Sequence, residues 1–323
     1  MHQFDEYHAE LKGFSSYFHE EIFPLLAAQD GSRRGAVKKA KIFGTLIVVI
    51  AIILAIFIFL RTDKFQLSFF ALFFGGAGSF GLYKKLTKTV KSYAKGKIVS
   101  GICTFIGWTF QEKVTLKPDL DLLGQYGLIP KGFSSKHDRD LAKIASSSYR
   151  AAFEDQMSGQ AHGADFHSVE SHLERKNDDD WVTAFRGQIM TLTFPRKFLG
   201  QTVVLRDKGM FQSKKRGDMK RVGLVDPVFE KIFEAYSTDQ VESRYLLDPA
   251  FMQKLVDLER SVDGKRIRFG FIEGQLHIVV ETKNRYEAGS MLQPLTSPER
   301  TQKILDEIGA IYDIVDAVLA PSA

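Results

Sequence analysis

The chain has 323 residues, enough for one large domain or two of ordinary size. Its hydrophobic share of 44% is that of a folded protein and excludes a mainly disordered chain. The single cysteine, Cys103, excludes an intramolecular disulfide framework and a multi-cysteine zinc or iron–sulfur site.

The net charge of +5 is distributed unevenly along the chain. Residues 31–111 carry 13 basic side chains and one acidic side chain, whereas the remainder has 31 basic and 38 acidic residues. Because the positive charge is local, we expect no nucleic-acid partner, although the pI is near 9.

Residues 1–30 follow the pattern of an amphipathic helix. Apolar side chains recur at a spacing of three or four: Phe4, Tyr7, Leu11, Phe14, Phe18, Ile22 and Leu25. The segment also carries several acidic residues, so we expect it to pack on protein rather than on an anionic membrane surface. Pro24 is expected to kink or end the helix.

Residues 31–97 are interpreted as a transmembrane hairpin with basic flanks. The first span, residues 42–60, has no charge, contains 15 Ile, Leu, Val or Phe residues and extends roughly 28 Å as a helix, close to the hydrocarbon thickness of a bilayer. The second span, residues 65–83, is also uncharged. Since only residues 61–64 separate the two spans, they should form a tight antiparallel pair.

Small residues within the spans predict close helix packing. Ala71, Gly75 and Ser79 recur every four residues in the second span, and Ala51 and Ala55 do so in the first. We favour packing within the hairpin over homodimerisation. The GxGxxG pattern at residues 76–81 is attributed to this packing and not to a dinucleotide site, because it follows no strand.

The distribution of Lys and Arg predicts the orientation. Basic residues precede the first span and follow the second, whereas the loop has only Arg61 and Lys64 beside Asp63. The positive-inside rule places both termini in the cytoplasm, and hence the protein in the cytoplasmic (inner) membrane as a multi-pass protein. The lipid bilayer is a predicted partner, with anionic headgroups at the basic flanks, and a membrane-protein partner is a further possibility.

Residues 98–323 are predicted to be a cytoplasmic α+β domain with a membrane-proximal helix, built of antiparallel strands packed by helices. Strand patterns occur at residues 183–194, 201–206, 266–272 and 275–282; the last two form a hairpin through Glu273-Gly274, and residues 207–209 form a turn. Helical signals cover residues 137–153.

Three helix starts are predicted in this region. Ser237 and Gln240 form a capping box, and Asp248-Pro249 and Ser297-Pro298 each place Pro in the first turn. The last helix has a broad apolar stripe that we expect to cover a sheet face, with a coiled coil as the less favoured alternative.

No catalytic, cofactor-binding or metal-binding residue is predicted. His162, His167 and His172 are five apart, which suits neither one helix face nor one strand face, and residues 178–180 are better explained as a solvated turn than as a calcium loop. Cys103 lies in an apolar run and should be a packed thiol.

Residues 226–252 are rich in aromatic and charged side chains, and joining a core strand to a core helix is the favoured explanation. This block, together with residues 153–159 and 185–187, resembles a family of bacterial membrane proteins defined only by a domain of unknown function. The resemblance implies a bacterial source and a cytoplasmic-membrane location, and it implies no reaction.

Two functions remain open from the sequence. The favoured one is a membrane-tethered, non-enzymatic binding or scaffold module. The alternative is a membrane-associated enzyme whose site is assembled from scattered polar residues. A deep pocket with convergent His, Asp or Glu would favour the enzyme, and an apolar groove would favour binding.

Overall fold

The computed structural model describes residues 2–62, 65–139, 147–206, 218–261, 266–283 and 285–319. They form two compact units: Met1–Phe105 with Tyr286–Leu305, and Ile106–Arg285 with Asp306–Ala323. The turn predicted at residues 207–209 and part of the predicted loop at residues 61–64 lie outside the described residues.

The first unit begins with a helical region that runs into one long helix. A 3₁₀ turn (Ala9–Leu11) precedes α1 (Phe14–Tyr17), a π-helical turn (Phe18–Ile22) and α2 (Phe23–Thr62). Of the two outcomes predicted for Pro24, a kink or an end of the helix, the second is wrong, because α2 contains Pro24 and continues to Thr62. Proline has no backbone N–H and therefore cannot donate the usual hydrogen bond inside a helix. The π turn directly before it changes the hydrogen-bond register at this point, and the helix continues.

The π turn also corrects the predicted apolar stripe. A π turn holds more than 3.6 residues per turn, so it shifts the phase of the residues that follow it. Leu26 is fully buried, whereas Leu25, which the regular spacing predicted to be inside, is 43% exposed. Tyr7, also in the predicted stripe, lies before the helical region and is 78% exposed.

Helix α3 (Phe65–Phe105) returns along α2, and both helices are long and apolar enough to cross a membrane. They pack through small residues, of which Gly75, Ala51 and Ser79 are predicted: a Cβ at Gly75 would lie 2.2 Å from the Cβ of Ala51, and one at Gly44 would lie 2.6 Å from the hydroxyl of Ser79. The predicted packing within the hairpin is confirmed at these two contacts.

The N-terminal helical region packs on the far end of α3. The rings of Phe14 and Tyr17 lie 5.6 and 5.1 Å from that of Phe105, and the side chain of Ile22 fills the space above Gly101. The apolar stripe of this region therefore contacts protein, as its acidic composition predicts.

The second unit is α+β, as predicted, with an antiparallel sheet. Its strands are β1 (Thr109–Gln111), β2 (Tyr149–Ala161), β3 (Ala164–Asn177), β4 (Asp180–Thr193), β5 (Thr202–Arg206), β6 (Lys220–Val222), β7 (Phe233–Ser237), β8 (Arg268–Ile272) and β9 (Gln275–Glu281). Among the described residues these nine strands form one sheet in the order β1-β2-β3-β4-β9-β8-β5-β7-β6, and all neighbours are antiparallel.

The described residues also form five further α-helices: α4 (Leu120–Gln125), α5 (Pro227–Ile232), α6 (Gln240–Leu246), α7 (Pro249–Ser261) and α8 (Pro298–Leu319). Helix α8 begins in the first unit and ends in the second. In the second unit, Tyr312 of α8 stacks on Trp108, which lies edge-on to Phe166 of β3 at 4.6 Å. The stripe of α8 thus reaches the sheet through Trp108.

The predicted β8–β9 hairpin is confirmed. Phe269 pairs with Ile278 and Ile272 with Gln275, and the two turn residues, Glu273 and Gly274, have φ values of 51° and 76°. Positive φ at both positions defines the type I′ turn, whose twist matches that of the flanking strands.

The helix predicted over residues 137–153 is wrong at residues 149–153, whereas residues 140–146 lie outside the described residues. The described part holds a 3₁₀ turn (Ser135–His137) and then β2, which pairs with β3 from Tyr149↔Arg175 to Ala161↔Ala164. Pairing with β3, the next strand along the chain, supplies hydrogen bonds that override the local helix propensity of these residues.

Two of the three predicted helix starts are confirmed. Asp248 accepts the Phe251 amide at 2.8 Å before α7, and α8 begins at Pro298. The capping box at Ser237 is wrong: Asp239 caps α6 by accepting the amides of Val241 and Glu242. Ser237 is instead the last residue of β7, buried and bonded to the hydroxyl of Thr202 at 2.9 Å.

Candidate functional site

The segment at residues 286–297, here called the anchored loop, is fastened to the first unit's helices by buried charges. Arg33 of α2 is only 7% exposed. Its guanidinium donates to the carbonyls of Met291 at 2.9 Å and Leu292 at 3.3 Å, and it pairs with Asp30 at 2.6 Å. One helix turn thus supplies both an arginine and a carboxylate to hold the loop.

Asp30 completes this attachment. Its carboxylate accepts the amide of Leu295 at 3.0 Å as well as the bonds from Arg33. The hydrogen bond from Arg33, opposed by burial and helped by the Leu295 amide, lowers the pKa of Asp30. The carboxylate is therefore ionised at neutral pH and fully engaged.

A second attachment joins the loop to α3. Lys91 forms an ion pair with Glu287. Burial raises the pKa of Glu287, but the hydrogen bond and charge of Lys91, together with Lys95 and Lys303, outweigh it and the net shift is downward. From α8, Arg300 donates to the carbonyls of the same loop, including that of Ser290 at 2.9 Å.

A cleft of about 690 Å³ opens between α2, α3 and the anchored loop. Its walls are mainly small or apolar residues such as Gly44, Val48, Gly76 and Phe80, and its polar side chains include Lys41 and Tyr83. None of the residues that line the cleft is Asp, Glu, His or Cys. The cleft therefore lacks carboxylate, imidazole and thiol groups, and its ionisable and hydroxyl side chains are those of Lys, Tyr, Ser and Thr.

In the second unit, ionised side chains cluster on the sheet around Glu174. Arg150 binds this carboxylate with two bonds of 2.8 Å, Arg139 pairs with it too, and His172 lies 3.9 Å away. The guanidinium of Arg150 also covers the ring of Trp181 at 4.2 Å. Because these side chains bind one another, the cluster is explained by a structural role: it links β2, β3 and β4.

The three histidines examined in the sequence have separate roles. His162 lies in the β2–β3 turn and bonds Asp316 of α8 at 2.6 Å, whereas His172 bonds the hydroxyl of Thr183 at 2.9 Å. Burial, followed by the charges of nearby arginines, lowers the pKa of His172 to about 4, and burial lowers that of His167. Within the described ranges no three His, Cys, Asp or Glu side chains are grouped so that they can hold a metal ion.

Two other predicted features are located by the structure. Asp178, with a φ of 53°, lies in the turn between β3 and β4, which is solvent-exposed as predicted. Cys103 is fully buried on α3, and burial raises the pKa of its thiol to about 12. The thiol therefore stays protonated at neutral pH.

The block at residues 226–252 forms α5, β7, α6 and the start of α7. Phe229, Phe233 and Tyr236 are buried in the core, which supports the architectural explanation, and Arg244 is exposed and bonded to the carbonyl of Gln240 at 2.7 Å. The block also presents a feature that the sequence did not reveal.

An apolar surface lies on the exposed side of α6. Val241 and Tyr245, one helix turn apart, are 79% and 63% exposed. Leu199 is 96% exposed, and its amide bonds the carboxylate of Glu242 at 2.7 Å, which brings it beside the helix. We call Leu199, Val241 and Tyr245 the α6 surface. Clustered apolar exposure of this kind marks interaction sites.

The sequence of the C-terminal part matches one family model, described as "Protein of unknown function (DUF3137)". The match covers residues 183–319. The predicted resemblance to a family with a C-terminal domain of unknown function is confirmed. The matched region begins within β4 and ends with α8, so it includes the α6 surface and the anchored loop but neither α2 nor α3.

The other comparisons add little to the DUF3137 match. No curated protein matches the chain. A solved structure, the crystal structure of the mycobacterial trehalose monomycolate transport factor A, TtfA, aligns with 15% identity over 71% of this chain and 98% of its own, with a TM-score of 0.29. A score at this level carries no argument about fold or function.

The anchored loop and the cleft have no counterpart in the sequence-based predictions. Arg33 was interpreted there as one of several flanking basic residues. The sequence offers one signal of a special role for Arg33: Asp30 lies three residues earlier, and residues at this spacing are neighbours on a helix. The partner carbonyls, however, lie more than 250 positions away, and no local pattern points to them.

Proposed function

We propose that this protein is a two-span protein of the bacterial cytoplasmic membrane that presents its DUF3137 domain to the cytoplasm as a non-catalytic binding module. The main support for a membrane location is the exposed apolar surface of α2 and α3. Side chains such as Ile53, Leu60, Phe65 and Phe74 are 62%, 76%, 71% and 67% exposed. Exposing such surfaces to water costs free energy in proportion to their apolar area, so these helices are expected to lie in hydrocarbon.

The basic flanks support the orientation. Lys38, Lys39 and Lys41 precede the first apolar stretch, and six lysines between Lys84 and Lys97 follow the second. The positive-inside rule then favours a cytoplasmic location for both termini. Anionic headgroups are the expected lipid partners of these lysines, each contributing at most about 1 kcal/mol near the surface.

The character of the cleft supports binding over catalysis. It is an apolar groove with hydroxyl groups and one lysine, the arrangement that the sequence analysis associates with a binding module. In the second unit, the α6 surface offers a place for a protein partner, since large exposed apolar side chains of this kind recur at the centres of interfaces.

In-cell photo-crosslinking tests the binding role directly. A photoreactive amino acid at Val241 of the full chain is expected to give a discrete adduct with a membrane-associated partner. The matched control is Gln253, an exposed polar residue on the neighbouring helix α7. Equal background at both positions would remove the α6 surface from the proposal.

A further inference from the structure

We propose that the cleft between α2, α3 and the anchored loop binds one anionic phospholipid, with an acyl chain along the glycine-lined wall and the phosphate at Lys41. The inference rests on the proposed membrane-spanning role of α2 and α3 and adds a defined lipid site to it. Four observations within the first unit support it.

The shape of the cleft suits an acyl chain. Its volume of about 690 Å³ lies within the range of pockets that enclose small molecules, roughly 300–1,000 Å³. Gly44 and Gly76 leave the helix backbones bare on its walls, and a Cβ at Gly76 would meet nothing within 4 Å. Val48 and Phe80 line the same space, so the groove is apolar along α2 and α3.

The polar groups gather at the level where a headgroup would lie. Lys41 is the last charged residue before the first uncharged span, and Tyr83 is the last residue of the second. Both line the cleft, together with Ser290 of the anchored loop. An ammonium and two hydroxyls are suitable donors for phosphate oxygens.

The charge of this region favours an anionic lipid over a zwitterionic one. No acidic residue lines the cleft. The acidic side chains that fasten the anchored loop, Asp30 and Glu287, are already paired with Arg33 and Lys91. Lys41 therefore has no carboxylate lining the cleft with it, while Lys38, Lys39, Lys84 and Lys85 add positive charge nearby in sequence.

The anchored loop supplies the part of the site that a bare helix pair lacks. Leu292 and Ser290 line the cleft, and Arg33 holds the carbonyl of Leu292 while Arg300 holds that of Ser290. Two buried arginines thus fix the segment that closes one side of the groove. A fastened wall distinguishes a specific lipid site from the general lipid annulus around a helix.

The test uses the full chain in nanodiscs containing equal parts of phosphatidylglycerol and phosphatidylcholine. After transfer to mild detergent, the lipid that stays bound is quantified by mass spectrometry. The wild-type protein is expected to keep about one phosphatidylglycerol per chain. Lys41→Gln should lower this retention roughly fivefold, the loss expected for one lysine near a headgroup. Lys39→Gln, a lysine of the same flank that does not line the cleft, is the matched control and should retain the lipid.

A second variant tests the groove itself. Gly76→Leu should fill the cleft and displace the acyl chain, whereas Gly81→Leu, on the same helix and also in open space, should not. Equal retention of both lipids, or equal retention by Lys41→Gln and Lys39→Gln, would overturn the inference. A wild-type chain that enters nanodiscs but keeps no phosphatidylglycerol overturns only the lipid site, whereas a chain that does not enter nanodiscs contradicts the proposed membrane role.

Discussion

At the scale of single residues, the helix hairpin depends on one glycine. The Cβ of Gly75→Ala would lie 2.2 Å from the Cβ of Ala51, so the two backbones must separate. We expect a loss of about 1–3 kcal/mol in the free energy of unfolding, the usual cost of overpacking. Thermal melting of the full chain in detergent measures this loss. Gly81→Ala, where a Cβ meets nothing within 4 Å, is the control and should melt no lower than the wild-type protein, because Ala favours a helix over Gly.

Two histidines, the buried His277 and the half-buried His172, predict a pH dependence of stability. Burial is the main cause that lowers the pKa of both His172 and His277 to about 4, against an ordinary value of 6.5. Between these values the unfolded chain binds more protons than the folded chain, so stability is full above about pH 6.5 and falls as the pH drops towards about 4. The melting temperature of the full chain should decrease across this window.

Variants separate these histidines from the carboxylates, which titrate lower. His172→Gln should flatten the decrease between pH 6.5 and 4.5, because it removes one group that gains a proton on unfolding. His2→Gln, which replaces an exposed histidine, serves as the control. A melting temperature that falls as steeply in His172→Gln as in the wild-type protein would show that another group controls the pH response.

At the scale of elements, the anchored loop depends on Arg33. Arg33→Ala would leave Asp30 without its main partner and leave two loop carbonyls without a donor. Breaking a buried ion pair costs about 3–5 kcal/mol. We therefore expect lower stability and faster amide hydrogen exchange at residues 286–297, measured by mass spectrometry.

The neighbouring arginine offers a matched control. Arg34 also faces Asp30, at 3.4 Å, but its side chain is 73% exposed. Exposed pairs contribute about 0–1 kcal/mol, so Arg34→Ala should leave the exchange of the loop unchanged. If both variants loosen the loop equally, the attachment depends on general positive charge and not on the buried contacts of Arg33.

The sequence predicts the elements whose signals are local. The β8–β9 hairpin follows from Glu273-Gly274 between alternating strands, and the start of α7 follows from Asp248-Pro249. The strand β2 is not predicted because its residues carry no strong strand pattern, although its partner β3 follows directly across a turn. The cap predicted at Ser237 is wrong because Ser237 is part of the sheet: it is the last residue of β7 and pairs with Thr202 of β5.

The candidate site was less predictable than the fold. From the sequence, Gly76 is interpretable only as a helix-packing position, since whether a glycine faces a neighbouring helix or an open groove depends on the rotation of each helix. Gly75 packs on Ala51, whereas Gly76, the next residue, lines the cleft. The α6 surface is not evident from the sequence for a similar reason, because the bond that brings Leu199 beside α6 comes from Glu242, 43 positions away.

At the scale of the whole molecule, the account depends on the proposed orientation in the membrane. The chain suits cysteine labelling, since its only cysteine, Cys103, is buried and its thiol pKa is raised to about 12. The native chain should therefore resist a maleimide reagent, and an added cysteine reports its own location.

Labelling of Thr62→Cys and Ser32→Cys in spheroplasts with a membrane-impermeant maleimide is the most direct test. Thr62 lies at the exposed end of α2 near the predicted outer loop, and Ser32 is an exposed residue before the first span. The account predicts that Thr62→Cys is labelled in intact spheroplasts and Ser32→Cys only after lysis. Labelling of Ser32→Cys alone before lysis would reverse the orientation, and labelling of both would contradict the proposed passage through the membrane.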